Sequence, residues 1–575
     1  MKNLIQGGLV LDIKFYDELK NTDYGNVAFE LSNALREKIE INKIHSAAIA
    51  LACILIEKRN EKVPKATSEV EHIIEKYSSL FSDDVEEILG KYTSEQLLSF
   101  ILFDDQLSEY RGFNCTTPEG VCKLAAKILD VQNGEQVLEL CSGKGSFPVA
   151  ASRKCSDFSY EGVELNYVSS EIAQLRNFIL GLNAQFTLCD ALEYRTEKKG
   201  DKIFSNYPFM IRTPAMNEYK ELVSKNLGVD IAVLQKASSD WIFNAVAVEQ
   251  LKEKGKAVVI MTNGSAWNSS DKEIRKFFIE NGYIEAVISL PGKLFNNTAI
   301  PTTLLVLSKN NKTVRMVDAS ELCISERRNN VLTNENIEKI DFLLKNDSEI
   351  STTKTLQDFE NNDYVLNAVR YLEVVPEIKD GVEFGTVISK ITRGSQLKAK
   401  ELDELKAAEK TPYQYLMLSN IHNGLISFDE DGQYMTELPE KLEKYCIQNN
   451  AIVLSKIGMP SFKSAVAQVE EGSKLLANGN LFVIEIDEEK ADPFYIQAFF
   501  ASDAGVALFK SIYTGAVIPS ISMDKLKKMI IPLPSLEKQK QIADRYAATL
   551  DEVALLRRKL ERVSAKLSHI YDEGI

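Results

Sequence analysis

The chain has 575 residues, 45% hydrophobic and 26% charged, with only 28 Gly and 15 Pro, which excludes a disordered, collagen-like or low-complexity chain. At roughly 100–200 residues per domain, this length predicts three or four domains. The formal net charge of −15 argues against a protein coated by nucleic acid along its whole length, and leaves room for a local basic cleft.

Residues 1–110 read as an N-terminal all-α bundle, because VAFELSNALREKI and HSAAIALACILIEK carry apolar residues at i, i+3, i+4 spacing. Asp12 followed by Glu18-Leu19-Lys20 has the acid-x-Lys order of metal-dependent nucleases, but in a helical context it reads as an ordinary helix face. Residues 111–345 alternate strand-like runs with helical stretches: QVLEL, YEGVEL, FTLCD, KIFSN, KAVVIMTN, IEAVISL and TTLLVLS. Helices are expected between the first six, as in an α/β Rossmann-like domain with a mainly parallel sheet. Residues 346–380 are acidic and irregular and read as a connector. Residues 381–533 mix short strands and helices as an α+β domain. Residues 534–575 form the clearest periodic signal, with Ile542, Tyr546, Thr549, Val553, Leu556, Leu560, Val563, Leu567 and Ile570 at alternating spacings of 4 and 3. Ser535 is the expected N-cap, and the seam predicts a coiled coil. Residues 1–110 carry 12 Lys and Arg against 20 Asp and Glu, and residues 381–575 carry 24 against 27, so a polyanion is expected at the later part.

Ligands of parallel sheets sit beyond the strands' carboxyl ends. The first run leads into Glu139-Leu140-Cys141-Ser142-Gly143-Lys144-Gly145, a turn that brings backbone close to a ligand but lacks the Gly-Lys-Ser/Thr ending of a P-loop. The second ends in Glu164, suited to accept from two ribose hydroxyls. The third ends in Asp190, suited to accept from an adenine amine. The fourth ends in Asn206-Tyr207-Pro208-Phe209. An amide oxygen, a backbone carbonyl and a flat ring suit a planar amine, whose lone pair becomes nucleophilic when acceptors pull on its N–H groups. A dehydrogenase would not need this last set. The eight cysteines are scattered without C-x-x-C and the four histidines are distant, so no metal site is expected. Such thiols predict a reducing, cytoplasmic setting. The longest apolar run, Ala47–Ile56, is too short for a membrane span, and the acids near the N-terminus come too early for a secretory signal.

On these residues the chain resembles the S-adenosylmethionine-dependent DNA methyltransferases that methylate amines, most closely the modification subunits of type I restriction systems. The resemblance implies a cofactor loop with Glu139, Cys141, Gly143 and Gly145, a ribose acid at Glu164 and an adenine contact at Asp190. It implies catalysis by Asn206, Tyr207, Pro208 and Phe209. Arg111–Pro118 resembles an N-terminal cofactor motif, with Thr117 and Pro118 near the methionine end. Ser239-Asp240-Trp241, LPGKLFNNTAIPTTLLVLSK and NDYVLNAVRYL also read as family segments. The motif order implies methylation of adenine N6 on a flipped base. Residues 381–575 resemble half a specificity subunit, a target recognition domain with one long helix, through YQYLMLSNIHNGLI, AIVLSKIG, Gly515–Ile521 and IIPLPSLEKQKQIADRY. The family has Pro where Tyr207 stands, so the loop is expected to be freer, a large ring to lie near the pocket, and the enzyme to be slower. Leu140-Cys141 replace the usual Pro-small pair.

The expected function is site-specific adenine-N6 methylation of double-stranded DNA within a restriction-modification or related defence system. Competing readings are a DNA-binding scaffold with a decayed site and a methyltransferase acting on protein or RNA. Expected partners are a second copy through the C-terminal helix, or a separate specificity subunit, with a possible restriction subunit.

Overall fold

The computed structural model describes the chain outside residues 1–3, 6–7, 10–12, 60–63, 106–115, 296–298, 328, 373–377, 429–433, 459–461, 513–519 and 574–575. Asp12, the motif residues Arg111–Cys115, part of the 290–309 segment and Gly515–Pro519 therefore lie outside the described residues. The chain divides into two compact units, residues 1–372 and 373–575.

The first unit is built on a nine-stranded sheet. Its strands are β1 (Gln136–Leu140), β2 (Ser159–Glu164), β3 (Asn183–Leu188), β4 (Gly200–Ser205), β5 (Leu251–Thr262), β6 (Ile284–Ser289), β7 (Thr302–Leu307), β8 (Thr313–Asp318) and β9 (Ser351–Thr355). Their order is β9-β8-β6-β7-β5-β4-β1-β2-β3. β1 to β5 run parallel, whereas β7 is antiparallel to both of its neighbours. Both faces are covered, so a strand such as TTLLVL is buried at every position. Chain order reverses between β1 and β4, which opens a crevice at their carboxyl ends.

Helices α1 (Ile13–Lys20), α2 (Val27–Leu35), α3 (Ile44–Lys58), α4 (Ser68–Ser78), α5 (Asp83–Gly90) and α6 (Ser94–Phe103) precede the sheet. α7 (Glu119–Leu129), α8 (Ser146–Ala151), α9 (Tyr167–Leu180), α10 (Met216–Leu227), α11 (Ile231–Lys236), α12 (Ser239–Gln250), α13 (Lys272–Glu280), α14 (Asn334–Lys345) and α15 (Leu356–Asn361) surround it. α3 is apolar nearly all round and almost wholly buried. It has no core of its own: Ile49 and Leu51 join one cluster with Val137, Phe204 and Val258 of the sheet. A buried polar lock adds to this, as Glu171 of α9 accepts from Ser46 at 2.6 Å, Tyr77 at 2.7 Å and Lys76 at 2.6 Å. Lys20 pairs with Glu119 at 3.4 Å, so the acid-x-Lys segment is part of helix packing.

Two expectations about the elements need correction. No helix separates β3 from β4; a turn at residues 191–193 and an irregular stretch to 199 join them. The stretch read as an irregular connector holds β9 and α15, and the unit boundary falls after NDYVLNAVRYL. β9 is Ser-Thr-Thr-Lys-Thr, an edge strand whose burial alternates although its residues are polar, so hydropathy does not mark it.

In the second unit, β10 (Ile388–Arg393), β11 (Tyr413–Leu416), β12 (Ile452–Ser455), β13 (Ser464–Val466), β14 (Lys474–Ala477) and β15 (Leu481–Ile486) form an antiparallel sheet in the order β10-β15-β12-β13, with a separate parallel pair β11-β14. α16 (Pro493–Phe500) starts with Pro at its first turn, capped by Asp492, which accepts from Phe494 N at 2.8 Å. The last helix, α17 (Leu536–Glu573), runs 38 residues and starts directly after Ser535, whose carbonyl accepts from Gln539 N at 2.9 Å. Its first turns dock through buried Ala543 and Gln539. Ile542 among these turns, and Val553, Leu556, Leu560 and Val563 beyond them, are exposed, Leu560 by 66%. The side chains of Leu567 and Ile570 lie outside the described residues. Among the described residues no helix is long and apolar enough to cross a membrane.

Candidate active site

The crevice between β1 and β4 gathers most of the residues singled out in the sequence. β1 turns sharply into residues 141–145. Cys141, Gly143 and Gly145 all have left-handed backbone, with φ of 61°, 53° and 73°. For Cys141 this conformation is strained, the kind of outlier that tight ligand-binding turns hold. Each glycine has a different reason. A Cβ on Gly145 would lie 3.1 Å from Ala173 of α9, so packing demands glycine there. A Cβ on Gly143 would meet nothing within 4 Å, so that position faces open space where a ligand can approach the backbone. Ser142 is buried, and its Oγ has no hydrogen-bond partner among the described residues.

Glu164, at the end of β2, braces this loop. One carboxylate oxygen accepts from Gly143 N at 2.7 Å and the other from Asn166 N at 2.7 Å. Burial raises its pKa, against the pull of these amides. Asp190, past β3, accepts from Leu192 N at 2.9 Å and from the Tyr219 hydroxyl at 3.0 Å. Every one of these oxygens keeps a lone pair for a further donor. Glu139 sits lower, buried under the loop. It accepts from Tyr160 at 2.5 Å, and burial pushes its carboxyl well above the ordinary range. Lys144 points away from the crevice into the interior, its Nζ 3.3 Å from His45 Nδ1, and burial pulls its pKa down to about 8.

Across the crevice, β4 ends in Ser205, whose hydroxyl donates to Leu140 O at 2.8 Å. Asn206 follows. Its Nδ2 donates to Thr117 Oγ1 at 2.8 Å, which leaves Oδ1 without a partner among the described residues. Thr117 thus meets the amide of Asn206, and Pro118 occupies the N-cap position of α7. Pro208 and Phe209 are half-buried, and Phe209 meets Phe295 edge to face at 5.8 Å. A cavity of about 390 Å³ opens beside Pro118, lined by Leu294, Asn330 and Leu332, but Asn206 is not on its wall.

Tyr207 is not where a freed loop with a ring at the pocket would place it. The ring is buried in the core, stacked on Phe243 at 4.6 Å with planes 6° apart, and its hydroxyl donates to Asn244 Oδ1 at 2.9 Å. The loop is tethered through the side chain rather than loosened. Sequence reading placed Ser142 in the loop without giving it a role, and missed Tyr219 and Asn244. Asn244 alone had a signal, four residues after Asp240 and hence on the same face of α12.

Two family models match the chain: N-6 DNA Methylase over residues 103–380, and the Type I restriction modification DNA specificity domain over residues 387–565. Residues 103–380 thus carry an N-6 DNA methylase domain, fused to a type I specificity domain in residues 387–565. Such a methylase domain takes its methyl group from S-adenosylmethionine and places it on adenine in DNA. The fusion is similar to the Type I restriction enzyme MjaVIII methylase subunit of Methanocaldococcus jannaschii, at 28% identity over 63% of this chain and 66% of that one. It is also similar to the Type I restriction enzyme HindI methylase subunit of Haemophilus influenzae, at 25% identity over 51% of this chain and 71% of that one. The chain thus spans about two thirds of these relatives' length. In fold alone, the structure of the type IIG restriction endonuclease BpuSI aligns with 91% of this chain and 74% of its own, with a TM-score of 0.50 and 11% identity.

Proposed function

We propose that the whole chain is a site-specific adenine-N6 DNA methyltransferase of a cytoplasmic restriction-modification system, reading its site through its own specificity domain. The observation that carries this reading is the Oδ1 of Asn206, a buried acceptor oriented by Thr117 and without a partner among the described residues, at the end of the strand next to the one that leads into the open glycine turn.

The crevice fits S-adenosylmethionine. The carboxylate of Glu164 has lone pairs left for ribose hydroxyls, and Asp190 has them for the adenine amine. The space over Gly143 admits a ligand against the backbone, and the Ser142 hydroxyl, without a partner among the described residues, is left for a polar group. Thr117 and Pro118 approach from the methionine side, and Glu139 supports the turn from below. Bound S-adenosylmethionine supplies an electrophilic methyl group. Asn206 Oδ1 and the carbonyl of Tyr207 accept from the two N–H groups of the target amine. This draws its lone pair out of the ring and makes the nitrogen nucleophilic. Pro208 shapes the turn, and Phe209 stacks on the flipped base, worth about 1–3 kcal/mol by the scale of base–aromatic stacking. Acceptors held in place before reaction need no reorganisation during it.

The competing scaffold reading requires a decayed site. Asn206 is instead oriented and Tyr207 anchored. The test is transfer of labelled methyl from S-adenosylmethionine to DNA carrying the site found by methylation-sensitive sequencing. The wild-type chain is expected to transfer and Asn206→Ala to transfer nothing. Full activity in Asn206→Ala would overturn the assignment, and cofactor and DNA binding without transfer would favour the scaffold. The exposed seam of α17 supports self-association, so that two copies read the two halves of an interrupted palindrome; a separate specificity subunit is the other companion, and a restriction subunit completes such a system.

A further inference from the structure

The catalytic loop is held chiefly by one helix. α12 presents Asp240, Phe243 and Asn244 on one face, at i, i+3 and i+4. Asn244 and Phe243 hold residue 207, as described above. Asp240 Oδ1 accepts from the backbone N–H of Met210 at 3.3 Å. Met210 has left-handed backbone, with φ of 54°, so this contact fixes a strained exit from the loop. Both anchors are themselves fixed. Asp240 is fully buried, and its Oδ2 accepts from Thr262 N at 2.9 Å, Thr262 Oγ1 at 2.6 Å and Ser265 Oγ at 3.0 Å. Asn244 is fully buried, with its Nδ2 against Met261 Sδ at 3.7 Å. β5 and the residues after it therefore hold α12, and α12 grips the loop at both ends of its turn.

Resting on the methyltransferase reading above, we propose that Asn244 is a positioning residue: through the Tyr207 hydroxyl it holds the carbonyl of residue 207 and the Asn206 amide at the spacing the target amine requires. Two acceptors must reach two N–H groups of one nitrogen, so a small displacement of residue 207 mismatches both. Misplacement of about 1 Å costs on the order of 100-fold in rate. A bond that only stabilised the core would show a different pattern. Removing one buried partner leaves the other unsatisfied, whereas removing both together is nearly neutral for stability.

The test compares Tyr207→Phe, Asn244→Leu and the double variant in the full chain. Each single variant is expected to melt lower than wild type, and the double variant to regain most of that loss. Methyl-transfer kcat is expected to fall about tenfold in all three, the double included, with the KM for S-adenosylmethionine within about twofold of wild type. A double variant that recovers kcat along with its melting temperature would show a merely structural bond and overturn the proposal, as would wild-type kcat in Asn244→Leu. Amide hydrogen exchange across residues 205–211, without cofactor or DNA, gives a readout independent of the reaction. It is expected to quicken in the double variant, and unchanged exchange also overturns the proposal. A wild-type chain that transfers no methyl group at all overturns the functional reading instead, and the exchange measurement then still decides on the tether.

Discussion

Glu164→Ala separates the two duties of this carboxylate. In the structure it accepts from two backbone amides, Gly143 N and Asn166 N, each at 2.7 Å. Hydrogen bonds to a charged group contribute about 1.5–3 kcal/mol each. The bond from Asn166 is exposed and that from Gly143 part-buried, so water replaces part of that loss and the expected cost in folding stability is about 2–4 kcal/mol. On the proposed assignment, cofactor binding loses more than a contact, because the turn at Gly143 loses its brace and the ribose its acceptor. Leaving such polar partners unpaired costs about 1–3 kcal/mol, which is roughly a 5- to 150-fold weaker Kd at 1.4 kcal/mol per tenfold. Urea unfolding of the ligand-free chain measures the first quantity. Calorimetric titration with S-adenosylmethionine, at a temperature where the variant is fully folded, measures the second. A folded Glu164→Ala chain whose affinity stays within twofold of wild type would refute the assignment of this residue to the ribose. Unchanged stability would refute its role as the brace of the turn.

Lys144 is buried with its pKa near 8 in place of 10.5, beside His45, which burial holds neutral, and near Arg176, Asp104 and Asp105. The unfolded chain thus binds more protons between pH 8 and 10.5, so this lysine makes stability rise with pH across that window and lowers it by a constant amount below. Lys144→Met is expected to gain about 1–3 kcal/mol at pH 7 and to flatten that rise in denaturant titrations; a less stable variant at pH 7 would contradict this. Glu in place of Leu556 and Leu560, both exposed beyond the docked part of α17, is expected to abolish self-association in light scattering and to weaken specific DNA binding. A wild-type chain monomeric with and without DNA, or a non-palindromic methylated site, would remove the basis for a pair.

Local patterns carried much of this protein. The short apolar runs in QVLEL and KIFSN, the polar residue at or after each strand end and the 4,3 seam of the last helix are short-range signals. They located the sheet, Glu164, Asp190, Asn206 and α17 without any contact map. Residue type also set the chemistry at each strand end, because an acceptor is an acceptor wherever the chain carries it. Tertiary structure decided what depends on partners far along the chain. β9 is polar, and only its pairing with β8 makes it a strand. The N-terminal helices lack a separate core because α3 closes against the sheet. Lys144 lies in a turn that reads as ligand-binding, yet its side chain turns inward to a histidine 99 residues away. Tyr207 is the sharpest case. By itself a tyrosine in place of a proline means a freer backbone, since the fixed φ is lost. Phe243 and Asn244 reverse that meaning, because a ring stacked and hydrogen-bonded in the core restrains the loop from the side-chain end.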